Sequence, residues 1–152
     1  MKKSVFEGLV DKAFLGLEAQ YGFKKIETKY IDRGAIVRYR NTTTELCLNY
    51  EIGVTPWLEI ANLNNLENKS TLGWMLVEHG EQKAPTVAQA FRSSPLSDEQ
   101  LGVTLQKMGQ QVAEQGADLL KGDFAILPKL QERAKKYDAE CKRYLASRKS
   151  KS

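Results

Sequence analysis

Ala35-Ile36-Val37-Arg38-Tyr39-Arg40-Asn41-Thr42-Thr43-Thr44-Glu45-Leu46-Cys47-Leu48-Asn49-Tyr50-Glu51-Ile52-Gly53 changes character at every second residue. Val37 and Tyr39 alternate with Arg38 and Arg40, and Leu46, Leu48, Tyr50 and Ile52 alternate with Glu45, Cys47, Asn49 and Glu51. Successive side chains of a strand point to opposite faces, so this period predicts two strands, each apolar on one side and polar on the other. The connection Asn41-Thr42-Thr43 is too short for a crossover, which makes the pair antiparallel.

The same pattern extends outward. Ile26, Thr28 and Tyr30 alternate with Lys25, Glu27 and Lys29 ahead of a turn at Asp32-Arg33-Gly34. Behind Pro56, Trp57, Glu59 and Ala61 alternate with Leu58, Ile60 and Asn62. Four short strands over 23–63 make a meander, and its apolar face needs a helical cover. Phe6, Leu9, Val10, Ala13, Phe14 and Leu17 recur at helical spacing, which predicts a helix over 3–20 with a Ser4/Glu7 capping box and a stop at Gly22. Ser97 and Gln100 form a second capping box, before a helix expected over 98–121 with Gly109 and Gly116 inside it. Pro128 suits the start of a last helix, whose apolar stripe is Leu130, Ala134, Tyr137, Cys141 and Leu145 and which should fray near Ser147. The fold class is therefore α+β: a four- or five-stranded antiparallel meander with N-terminal and C-terminal helices packed on one face.

Residues 64–96 are harder to read. Asn64 to Thr71 has loop composition, Leu72 to Val77 is a short apolar segment suited to a strand on the meander or a partner-facing patch, and Thr86 to Phe91 suits a short helix.

With 152 residues the chain fits one domain, expected over 1–145, with 146–152 as a basic, frayed C-terminal tail. A chain of this size buries about two-thirds of its unfolded surface and needs no metal or disulfide for its core. No apolar run reaches the roughly 18–20 residues of a membrane span, and acids at Glu7 and Asp11 break any signal-peptide pattern, so the expected home is the cytoplasm. Cys47 and Cys141 have no Cys-x-x-Cys spacing, and both are expected as buried free thiols.

The formal charge is +4, of which residues 142–152 alone hold +5. A second cluster, Lys24, Lys25, Lys29, Arg33, Arg38 and Arg40 against Glu27 and Asp32, gives +4 over 24–40. These two stretches are the basis of a nucleic-acid reading. Tyr30, Tyr39, Tyr50 and Trp57 interleave with them as base-stacking rings would, but the alternation sends the rings to the face under the helices, where they belong to the core.

Catalytic constellations are missing. His79 is the single histidine, in Glu78-His79-Gly80-Glu81, and no nucleophile motif accompanies it. One histidine and two distant cysteines make no zinc set, and no glycine-rich phosphate cradle occurs, so neither metal nor cofactor is expected and the chain does not read as an enzyme.

The order of Tyr21-Gly22-Phe23, Val37-Arg38-Tyr39, Leu46-Cys47-Leu48-Asn49-Tyr50-Glu51-Ile52 and Leu119-Leu120-Lys121-Gly122-Asp123-Phe124 resembles a loose set of small bacterial proteins, mostly uncharacterised, some of which look like immunity proteins paired with secreted toxins. The chain departs from that set at Glu51, where an aspartate is expected. The resemblance implies a protein partner, a toxin or effector, and carries over no catalytic residue. Nucleic acid is the alternative partner. The partner-binding residues expected on these grounds are Lys25, Lys29, Arg38 and Arg40 on the polar sheet face, which also holds Glu27, Glu45 and Glu51, with Trp74, His79 and Glu81 beside it.

Overall fold

Five antiparallel strands in sequential order, β1 (Lys24–Ile31), β2 (Gly34–Arg40), β3 (Thr44–Glu51), β4 (Val54–Asn62) and β5 (Asn65–Thr71), form one sheet. The computed structural model describes residues 2–86 and 95–150. Around the sheet lie α1 (Lys3–Tyr21), α2 (Leu72–Glu78), α3 (Asp98–Gln115), the single turn α4 (Ala117–Leu120) and α5 (Leu127–Ser150). The architecture is α+β, as the alternation predicts.

The core lies between the inner sheet face and the helices. Ala35, Val37 and Tyr39 of β2, Leu46 and Leu48 of β3, and Leu58 and Ile60 of β4 meet Phe6, Val10 and Phe14 of α1 and Leu101, Leu105 and Val112 of α3. Phe6 stacks on Tyr50 at 5.3 Å and meets Tyr30 edge-on at 6.4 Å, while Phe14 packs against Tyr39 at 5.3 Å. Gly109 sets the approach of α3 to α1, since a Cβ there would lie 2.4 Å from the carbonyl oxygen of Ala13. Asn41 ties the end of the sheet to the helices. Its Nδ2 donates to the carbonyls of Tyr21 and Leu120, both at 3.0 Å, and its Oδ1 accepts from the backbone of Thr43 and Thr44.

Several expectations are corrected. Residues 65–71 are a strand, although they read as a loop, because β5 is an edge strand whose inward position Ser70 is polar. Its free edge is closed by α5, where Gln131 Nε2 donates to the carbonyl of Lys69 at 3.0 Å and to Asn68 Oδ1 at 3.2 Å. Leu72 to Val77 is a helix and not a strand: Leu72, Met75 and Leu76 are buried at helical spacing, and Thr71 Oγ1 caps the turn by accepting from the backbone N–H of Trp74 at 3.4 Å. The Ser4 capping box does not form, since Lys2 is the N-cap of α1. The Ser97/Gln100 box does form. The helix expected over 98–121 breaks at Gly116 into α3 and α4. The last helix, expected to fray near Ser147, is helical as far as Ser150. Apart from Thr86, the short helix expected over 86–91 lies outside the described residues.

Candidate functional site

The outer sheet face, which α5 borders along β5, carries two unlike halves. Cross-strand register aligns Lys24, Arg40, Glu45, Ala61 and Lys69 in one row and Glu27, Arg38, Cys47, Glu59 and Thr71 in the next. Directly opposed residues on one face interact, and opposite charges there stabilise the sheet by roughly 0.2–1 kcal/mol per pair. Arg40 Nε donates to Glu45 Oε1 at 2.9 Å, and Arg38 Nη1 reaches Glu45 Oε2 at 3.4 Å, so two guanidinium groups shelter a carboxylate that is 3% exposed. Arg38 Nε also lies 3.4 Å from Glu27. Across β3, Glu59 accepts from Asn49 at 3.1 Å and from Lys69 at 2.8 Å, and this second bond is the main reason why the ammonium of Lys69 titrates above its usual range. Cys47 sits between the two clusters, and burial pushes its thiol pKa up.

Towards the β1–β2 and β3–β4 hairpins the face turns apolar. The rows there are Lys29, Ile36, Asn49, Trp57 and then Ile31, Gly34, Glu51, Val54. Trp57 is 38% exposed, Val54 40%, Ile31 43% and Ile52, at the hairpin tip, 52%. Exposed aromatic and aliphatic side chains spread across one end of the face, beside an ordered charge array, give it the mixed composition of a protein interface.

The expected site residues fall into separate places. Lys29, Arg38 and Arg40 share the outer face. Lys25 does not: a bulge between Lys25 and Glu27 pairs it with Tyr39, turning it to the helix side, where it pairs with Asp11 of α1. The extra residue of that bulge explains why a strict alternation misplaced it. Trp74 is half-buried on α2 and meets Tyr137 of α5 edge-on at 5.3 Å. It lines a groove of about 570 Å3 between β5 and α5, together with Glu59, Glu67, Gln131 and Asp138. His79 caps the other end of α2, its Nδ1 lying 2.8 Å from Oε1 of Gln115 on α3. Glu81 is exposed in the following turn. The histidine loop and the sheet cluster are therefore not one site. Cys47 is buried, but on the outer face and not in the core, and Cys141 is half-buried on α5.

Trp57 was expected under the helices with the tyrosines and instead faces outward. The signal was present, since Leu58 and Ile60 already take the inward positions of β4. Glu59 shares the outward side of β4 with Trp57, so an inward Trp57 hides it, and Lys69 lies on β5, whose residues read as a loop. Among the described residues no group of three or more His, Cys, Asp or Glu is placed to hold a metal ion, and no helix is long and apolar enough to cross a membrane. No protein-family model, curated protein or solved structure matches the chain.

Proposed function

We propose that the chain is a non-enzymatic protein-binding module, most concretely an immunity-type inhibitor that occludes a toxin or effector, and that it binds through the open sheet face. The observation that carries this reading is the exposure of Trp57 and Val54 on β4 and of Ile31 across the same face on β1, beside charges already paired with one another. Side chains held in place before encounter lose little entropy on binding, and a large aromatic at the centre of such a patch supplies most of the affinity. The pairing also argues for a protein over nucleic acid on this face. Arg38 and Arg40 on this face are engaged by Glu27 and Glu45, which lowers the net field that a polyanion needs. The cytoplasm is the proposed compartment, because two free cysteines suit a reducing one.

A photo-crosslinking residue placed at Trp57, Lys29, Leu15 or Lys142 tests the reading in the native host. Capture of one and the same protein from Trp57 and Lys29, with purified Trp57→Ala binding it at least about tenfold more weakly, is the expected result. Capture from Leu15 on α1 alone, with Trp57→Ala binding as the parent does, removes the sheet face from consideration.

A further inference from the structure

The second half of α5 carries a feature that the sheet face does not use. Tyr137, Cys141 and Tyr144 are half-buried on one side of the helix, while Lys135, Lys136, Ala139, Lys142, Arg143, Ala146 and Lys149 are exposed. At 100° per residue these exposed positions fall in one sector of about 140°, opposite the aromatic side. Lys135, Lys142 and Lys149 recur every seven residues, as do Lys136 and Arg143, so the cations step along the rod by about 10 Å at a time. Only Ala139 and Ala146 lie between them; Asp138 and Glu140 lie outside the sector, while Glu132, one turn before it, pairs with Lys136 at 3.6 Å. Five cations thus form a straight stripe with small residues along its middle, over which an extended polyanion can lie close to the helix.

We propose that this stripe is a seat for the phosphodiester backbone of nucleic acid, recognised without regard to base sequence. A regular line of cations on a rod matches a regular line of phosphates, and each lysine or arginine that neutralises a phosphate releases condensed counterions. A bilayer fits less well. A helix lying in a membrane interface needs its apolar side and its flanking cations to reach the same plane, and here they face opposite ways. The seat meets the sheet face only at Lys135, which lines the groove with Glu59 and Lys69, and it stands or falls independently of the proposed inhibitor function.

The test is fluorescence anisotropy of the full chain with a labelled duplex of random sequence, titrated from 50 to 200 mM salt. With about four phosphates neutralised, log Kd should change with log salt at a slope near 3.6, a weakening of roughly 150-fold over that range. The variant Lys135→Gln/Lys142→Gln/Arg143→Gln should bind at least about tenfold more weakly at the low-salt end, while Lys12→Gln on α1 binds as the parent does. Circular dichroism reports whether the triple variant is folded, and if it is not, Lys142→Gln alone should lower the salt slope by about one. Unchanged binding by the folded variant overturns the proposal. So does a slope below about one, equal affinity for polyglutamate, or capture by phosphatidylglycerol vesicles without capture by the duplex.

Discussion

Arg40 and Glu45 stand directly opposite each other on β2 and β3, joined by a 2.9 Å hydrogen bond, and the carboxylate is 3% exposed although it lies on the open face of the sheet. A buried carboxylate needs its partners, because the cost of leaving it unpaired exceeds the net gain of pairing it. Arg38, at 3.4 Å, is its second partner. Arg40→Ala should therefore cost about 1–3 kcal/mol, more than an ordinary surface pair. Urea unfolding measures this, and a loss below about 0.5 kcal/mol would put the pair in the surface class.

Two glycine substitutions should have opposite signs. Gly109→Ala drives a methyl group towards the backbone carbonyl of Ala13, 2.4 Å away, and should destabilise by about 1–3 kcal/mol as α3 shifts from α1. Gly8 is on the exposed side of α1 with nothing near its Cβ position, so Gly8→Ala should stabilise by about 0.5–1 kcal/mol through helix propensity. Thermal melts of the pair decide it. A stabilised Gly109→Ala chain would mean that the two helices are not in close contact.

The cysteines should differ in reactivity. Cys47 is 8% exposed and its thiol is held protonated mainly by burial, so it presents little thiolate. Cys141 is half-buried on α5. Iodoacetamide applied to the native chain should label Cys141 first, with Cys47 labelled only on unfolding. Peptide mass spectrometry reads the order, and early labelling of Cys47 would contradict its placement between the charge clusters.

Glu78 links α2 to α5 through Lys129 and Arg133, and the hydrogen bond from Lys129 is the chief reason why its carboxyl titrates below the usual carboxylate range. A carboxyl whose folded pKa is depressed contributes stability that is present above its unfolded pKa and lost as pH falls through the folded one. Between neutral pH and about pH 4 the Glu78→Gln variant should be the less stable chain, and below that the two stability curves should converge. Parallel curves across the acid range would show that the contact does not tie α5 to the body.

How much was legible follows from what each residue needed in order to show itself. Val37, Tyr39, Leu46 and Leu48 announced the sheet because alternation is a local property of the chain, and Gly22 and Ser97 marked helix ends because capping involves near neighbours. β5 was silent because an edge strand with polar inward residues is specified by what covers it, here Gln131 of α5, 62 residues away from Lys69. Leu72 to Val77 was too short for periodicity to choose between helix and strand, and its packing between the sheet and α5 made the choice.

The candidate site divides in the same way. From the sequence alone came the amphipathic strands, the basic end of the chain and the polar identity of one sheet face, since side-chain direction and charge are written residue by residue. Only the tertiary structure decided that Lys25 turns inward at a bulge, that Trp57 faces outward, and that Trp74 and His79 lie at opposite ends of α2. The burial of Glu45 beneath two arginines was decided there as well. Each of these depends on the register between strands or on the docking of one element upon another. Register and docking are settled by the summed packing of residues far apart in the chain, and no single segment contains that sum.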